Sequence, residues 1–206
     1  MEKKIKSVSS NVEKAQTYGD LMRRYSKAIK HGFFFEAMLI EYAMIEDRLL
    51  AFLYHCGVQN GRDSLKISKI SRNKLLKPLF TSEDGKEKRL SINGVGRKIE
   101  IIDAILTWEC NIVCTPDDKY MKTLKTQCES LDILEFQDIL KNILTWKDYR
   151  NEIIHGLLNK NINALQADIE NNVTTGMILA RGVDKQVKII KKGNKIRKAA
   201  KLPITL

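Results

Sequence analysis

The amino-acid sequence predicts an all-α protein, and three observations carry that expectation. Proline occurs only three times in 206 residues. Leu, Ile, Lys and Glu are abundant, a composition that favours helices. Apolar residues recur at spacings of three and four along most of the chain, as on helices with one buried face. No repeat, low-complexity tract or convincing strand pair is present. The short β-like run Val187-Lys188-Ile189-Ile190 is the one competing signal.

Residues 11–30 read as an amphipathic helix. Leu21, Tyr25 and Ile29 form its apolar stripe, Arg23, Arg24, Lys27 and Lys30 occupy the polar side, and His31-Gly32 ends it. From Phe33 to Cys56 runs the longest apolar-periodic segment, with Phe35, Leu39, Tyr42, Ile45, Leu49 and Leu53 in register and Gly57 closing it. This is the expected central core helix. Glu41 interrupts its apolar stretch, and a carboxylate is rarely buried without a partner. Glu41 is therefore a candidate acid for orienting Arg150 or His155. The alternatives are an exposed carboxylate on the back of the helix, or a pair with Arg48.

Residues 58–97 are the least regular part, punctuated by Gly57, Gly61, Pro78, Gly85, Gly94 and Gly96. Ser64–Leu76 is expected as a short basic helix and Ser82–Arg89 as a charged loop. A connection of this length is often functional. Its Lys66, Lys69 and Arg72 suit an RNA backbone; a dimer arm or a partner-binding loop fits equally. Gly94-Val95-Gly96 is no nucleotide loop, because no strand precedes it and no G-K-[ST] follows.

A helix is predicted over Val95–Val113, with Ile99, Ile102, Ile105 and Leu106 inward. Thr115-Pro116-Asp117-Asp118 reads as the start of the next, with threonine at the cap, proline in the first turn and acids following. That helix is expected to end near Glu129. An apolar-periodic run from Leu131 to Trp146 follows, then a further helix over 161–181 weakened by Asn171-Asn172 and Gly176. Residues 186–206 are expected as a basic C-terminal tail, either helical against RNA or disordered. Lys191, Lys192 and Lys195 are its candidate phosphate contacts. The organisation is thus one helical domain over 1–185, with an insertion at about 58–97, and a tail.

The formal charge of +11 points to a polyanionic partner or to a solvated lysine-rich surface, and says nothing about fold. Cys56, Cys110, Cys114 and Cys128 are too sparse for a disulfide scaffold, which suits a reducing cytoplasm. Three thiols without a close histidine or fourth cysteine make a poor zinc site, so they read as buried apolar groups. No metal or cofactor is expected. Met1 to Val12 lacks the apolar core of a signal peptide, and no apolar run approaches a membrane span. A soluble, cytoplasmic protein with no membrane partner is the expectation.

The stretch Tyr149-Arg150-Asn151-Glu152-Ile153-Ile154-His155-Gly156 carries the chemistry. At about 100° per residue, Trp146, Tyr149, Ile153 and Leu157 share one side of a helix. Asn151 and His155, four apart, stand one above the other on the opposite side. Arg150 lies at the border, roughly 100° from Asn151. A guanidinium, an amide and an imidazole on a polar face backed by core suit a phosphodiester. Imidazole titrates near neutrality and moves protons; guanidinium keeps its charge and offers phosphate a planar fork. The plainer alternative has Arg150 paired to a glutamate and His155 at a helix bend before Gly156.

Arg150-Asn151, three residues, then His155 resembles the R-N-x-x-x-H signature of HEPN domains, small all-α modules of toxin–antitoxin, phage-defence and CRISPR systems. The resemblance is specific over about ten residues and architectural elsewhere. It implies an HEPN-like antiparallel helical bundle and a metal-independent endoribonuclease with Arg150, Asn151 and His155 as catalytic residues. It also implies a site completed by a second copy in a homodimer, with an antitoxin or defence-system protein as a further partner. Leu157 departs from those HEPN toxins that carry tyrosine two residues after the histidine, which puts modification at that position in doubt. Some family members only bind, so a non-catalytic HEPN-like module for RNA, a nucleotide or a protein partner is the alternative. A basic DNA-binding regulator is a third class, but no helix-turn-helix with a convincing recognition helix is present.

Overall fold

A computed structural model describes residues 11–61, 66–76, 92–111, 117–156, 159 and 161–204, with only the backbone of 11, 108–111, 162, 164 and 171. The described elements are α1 (Asn11–Lys30), α2 (Phe34–His55), α3 (Lys69–Lys74), α4 (Val95–Asn111), α5 (Lys119–Cys128), α6 (Ile133–Gly156), α7 (Ile162–Asn172), α8 (Thr175–Lys191) and α9 (Lys195–Ala199), with a 3-10 turn at Lys192–Asn194 between the last two. Among the described residues there is no strand, only one antiparallel bridge between Gln59 and Ile67. The all-α expectation holds.

Helix α2 is the hub because both its apolar stripe and much of its flanks are covered. Ile45, Leu49, Phe52 and Leu53 are fully buried. The Phe52 ring packs on Phe136 of α6 with centroids 5.0 Å apart, a tilted aromatic contact. Cross-helix pairs give the directions. Lys14 with Asp47 and Tyr25 with Glu41 make α1 antiparallel to α2. Phe136 with Phe52 and Arg150 with Tyr42 make α6 antiparallel as well. Lys98 bonds Glu46 at 2.7 Å, and Gln137 bonds Asp103 at 3.2 Å, so α4 lies against both α2 and α6.

Helix α8 departs from the antiparallel expectation. Gly176 sits beside Glu41, and Arg48 bonds Asp184 at 2.7 Å, so α8 runs parallel to α2. The cause is connectivity: α6 returns the chain to the starting end of α2, and the short α7 turns it once more.

Three further differences have local causes. The start expected at Thr115 falls outside the described residues, and the cap is Asp118, whose carboxylate accepts from the Met121 amide at 3.1 Å. The single helix expected over 161–181 is two, separated at Val173–Thr174. Most consequentially, residues 186–204 are no detached tail. Gln186, Val187, Ile190, Ile196 and Arg197 are buried, so the apolar run that competed as a strand forms the inward face of α8.

Arg197 is 0% exposed and holds this C-terminal segment down. Its Nη1 donates to the carbonyls of Tyr54 (2.7 Å) and Gln59 (2.9 Å), Nη2 to that of Asn60 (2.9 Å) and Nε to that of Pro203 (2.9 Å). The guanidinium also lies 3.7 Å above the centre of the Tyr54 ring. Four charge-assisted bonds and a stacked face compensate for burying the cation.

Two glycines of α8 separate tight from tolerant packing. A Cβ on Gly176 would stand 2.6 Å from both Glu41 Oε2 and Trp146 Cζ2, two buried groups without room to move. One on Gly182 would meet only the Ile139 Cδ1 tip, at 2.9 Å. Gly176→Ala gains about 1 kcal/mol of helix propensity but overpacks a closed site at about 1–3 kcal/mol. We expect it to lower Tm, whereas Gly182→Ala leaves Tm unchanged or raises it; thermal melts of the two variants check this.

Candidate functional site

Helix α6 carries the motif on its last two turns, as one uninterrupted helix from Ile133 to Gly156. Trp146 and Ile153 are buried and Tyr149 is half-buried, as the periodicity requires. The Tyr149 hydroxyl accepts from Asn172 of α7 at 3.4 Å. Leu157 lies outside the described residues. This inward stripe fixes the rotation of α6 and so turns the motif's polar groups away from the core.

Arg150 is half-buried. Its guanidinium lies 4.6 Å above the centre of the Tyr42 ring, Nη1 donates to Asn151 Oδ1 at 3.1 Å, and Nε is buried without a hydrogen-bond partner. No carboxylate among the described residues pairs with it, so the glutamate partner of the plainer alternative is not found there. Asn151 is half-buried and its oxygen is committed to Arg150. His155 is exposed in the final turn. Within one chain the three do not meet at a point: Arg150 leans on α2 while His155 faces solvent.

Glu41 does not serve the motif as expected. It is 0% exposed, and its Oε1 accepts from the Tyr25 hydroxyl at 2.9 Å rather than from Arg150 or His155. The reason is rotation: Glu41 faces α1 and α8, whereas its neighbour Tyr42 faces α6. Its Oε2 has no partner in hydrogen-bond geometry and stands close to Trp146, whose buried Nε1 is also unpartnered. Burial pushes the Glu41 carboxyl up to about 8, against the Tyr25 hydroxyl and the Met177 amide, which favour the charged form. Desolvation, then the adjacent carboxylate, raise the Tyr25 phenol in turn.

The candidate phosphate contacts form a second group. Lys66, Lys69, Lys191, Lys192 and Lys195 are exposed and Arg72 is half-buried. Asn60 takes the Lys66 carbonyl in a 3.4 Å backbone bond, and Arg197 takes the carbonyls of Gln59 and Asn60. The α3 cations and the α8–α9 cations are therefore gathered at one end of the bundle, beyond the C-terminus of α2. The motif is at the other end, beside Tyr42. Tyr42 and Tyr54 are separated by roughly 18 Å of helix, so these lysines do not surround His155.

Among the described residues no group of three or more His, Cys, Asp or Glu is placed to share a cation. None of the described helices is long and apolar enough to cross a membrane. Cys56 and Cys128 are buried free thiols, with burial raising the Cys56 thiol; Cys114 and the side chain of Cys110 lie outside the described residues. A cleft of about 200 Å³ between α1 and α8 is walled by Tyr18, Met22, Met177 and Arg181, and no motif residue lines it.

No family model, curated protein or solved structure matches the chain.

Two contacts are not implied by the apolar periodicity. Tyr42 packs against the core, as its place on the apolar stripe requires, and its ring is also the platform under Arg150. Tyr25 lies on an apolar stripe likewise, and its hydroxyl satisfies Glu41. A signal existed for the second: a buried tyrosine needs an acceptor and a buried carboxyl needs a donor.

The Glu41 carboxyl makes stability depend on pH in a definite direction. Its ordinary value is 4.5 and its folded value about 8, so between these the folded state holds a proton that the unfolded chain has released. Its contribution is complete below about pH 4.5 and is lost as pH rises through about 8. Glu41→Gln should remove that loss and leave the variant more stable than wild type at pH 9, by a few kcal/mol. Urea midpoints from pH 5 to 9 test it; parallel curves for the two proteins would refute the assignment.

Proposed function

We propose that this protein is an HEPN-type metal-independent endoribonuclease in which Arg150, Asn151 and His155 act on RNA at a site completed by a second copy of the chain. The observation that carries the reading is the state of Arg150. It is a cation fixed on an aromatic face, with no carboxylate among the described residues to neutralise it. An exposed histidine stands one turn further along the same helix. A structural arginine has its N–H groups taken up, as four carbonyls take up those of Arg197, whereas the Nε of Arg150 is left without an acceptor, which suits a cation that awaits phosphate.

In this reading a histidine removes the proton from the ribose 2′-hydroxyl, and the freed oxygen attacks the adjacent phosphorus. The bond to the 5′-oxygen breaks, that oxygen takes a proton, and the products carry a 2′,3′-cyclic phosphate and a 5′-hydroxyl. Arg150 stabilises the charge that gathers on the phosphoryl oxygens. Its contact with Asn151 Oδ1 holds that amide in place. Because Arg150 and His155 diverge around one helix by about 140°, one chain does not present both to one phosphate. An isologous dimer would bring each to the other's counterpart. Phage defence or a toxin–antitoxin pair is the setting in which such an activity belongs.

The same divergence favours a second reading if no dimer forms: an HEPN-like module that binds RNA, a nucleotide or a protein partner without turnover.

Cleavage of RNA in excess chelator should fall about 100-fold or more in Arg150→Ala and in His155→Ala, with sedimentation giving a dimer. Equal cleavage by wild type and both variants, or a strictly monomeric active protein, would overturn the proposal. Salt-sensitive RNA binding without cleavage by any preparation would select the second reading.

A further inference from the structure

The end of the bundle opposite the motif has features that the proposed reaction does not use. Residues 185–206 contain eight Lys or Arg and no Asp or Glu, and residues 66–76 contain four and none. The fold brings these two segments together around the turn after α2. A loose, solvated basic tail would need no fixed backbone, but this one is clamped. Arg197 grips four carbonyls, three of them in the turn at 54–60. The chain then turns sharply between α8 and α9 through two consecutive left-handed residues, Gly193 (φ 67°) and Asn194 (φ 50°), and Lys201 is left-handed as well (φ 54°). Asparagine tolerates that region, whereas lysine enters it only where its surroundings hold it there. The buried side chains of Ile196 and Arg197 alternate with the exposed Lys195 and Lys198, so the segment faces the core with one side and presents ammonium groups with the other.

None of Lys69, Lys191, Lys192, Lys195, Lys198 and Lys201 has a carboxylate partner among the described residues. Lys74 of α3 is paired with Asp118, and further up α8 Lys185 is paired with Glu135 and Lys188 with Asp184. Six lysines without a carboxylate partner, carried on two segments that the fold brings together, mark this end as a site for a polyanion.

We infer that this α3–α9 end is a sequence-independent binding site for the phosphate backbone of double-stranded nucleic acid, separate from the Arg150–His155 end. Three observations choose that occupant. The exposed large apolar side chains are Val12, Phe33, Leu39, Leu134 and Ile178; none lies in 66–76 or 186–204, so a membrane surface would gain nothing to bury. A protein partner would likewise lack an apolar anchor. Single strands are held by stacking bases on exposed aromatics, and among the described residues the tyrosine rings at this end, Tyr54 and Tyr120, are buried. What remains is a set of exposed cations on a clamped backbone, which suits the phosphates of a duplex. The inference does not require His155 to be catalytic.

The test uses the full chain and four probes: RNA and DNA duplexes of about 20 base pairs, a single-stranded RNA of the same length, and phosphatidylserine vesicles. Affinities are measured by anisotropy or co-sedimentation over a series of salt concentrations. Wild type should bind the duplexes more tightly than the single strand and leave the vesicles unbound. The combined variant Lys191→Gln, Lys192→Gln, Lys195→Gln, Lys198→Gln, with an unchanged circular dichroism spectrum, should lose about 3 from the slope of log K against log salt. Lys27→Gln with Lys30→Gln, on α1, should leave that slope within about one. Equal loss on both duplexes identifies the phosphate backbone as the ligand, and loss on RNA alone identifies the A-form duplex; either supports the site. An unchanged slope in the fourfold variant, preference for the single strand, or vesicle binding without duplex binding would overturn it.

Discussion

Where α8 passes Gly176, it comes so near α2 and α6 that a methyl group would collide with a carboxylate and an indole at once. That approach governs much of the rest. It seals Glu41 from water, which leaves the Tyr25 hydroxyl as its donor and raises its proton affinity. It also sets the line along which α8 continues beside α2, bringing Asp184 to Arg48 and, past the end of both helices, Arg197 to the carbonyls of the 54–60 turn. A larger residue at 176 would displace α8 at its start and hence disturb the contacts further along.

The parallel course of α2 and α8 gives the molecule two chemically different ends. At one, α6 terminates in Arg150, Asn151 and His155 with aromatic and half-buried surroundings. At the other, α3 and α9 flank the turn after α2 with lysines, of which Lys69, Lys195 and Lys198 have no carboxylate partner among the described residues. Sequence proximity conceals this division: Lys191 and His155 are 36 positions apart in the numbering, but the chain travels the length of α8 between them. Cationic residues and the motif therefore cannot be pooled into one RNA-binding surface simply because both suit phosphate.

The periodicity of the sequence was enough to recover helices. The spans 11–30 and Phe33–Cys56 correspond to α1 and α2 almost to the residue, because glycine with positive φ closes both, at Gly32 and Gly57. Ile99, Ile102, Ile105 and Leu106 are inward as read. Less legible was anything decided by which neighbour a helix meets. Glu41 and Tyr42 are adjacent, and about 100° of rotation sends one to Tyr25 and the other to Arg150; no spacing rule says which helix stands on which side. The C-terminal lysines hid an apolar face of Val183, Val187, Ile190 and Ile196, since high charge density reads as a solvated tail whether or not alternate residues are buried. Of the candidate site, the helical placement of the motif and its core-facing back were readable, while the platform under Arg150 was not.

The Arg197 clamp also has a bearing on how the chain reaches this form. Three of its four bonds join positions separated by 137 to 143 residues, and few contacts this distant are available early in synthesis. At typical elongation rates of about 5–20 residues per second, α2 emerges many seconds before the helix that covers it. Throughout that interval the apolar flank meant for α8 is open to whatever else is nearby, and the turn at 54–60 lacks the cation that fixes its carbonyls. Completion of the bundle is thus a late event of high contact order, because the segment that closes it is made well after the turn it grips.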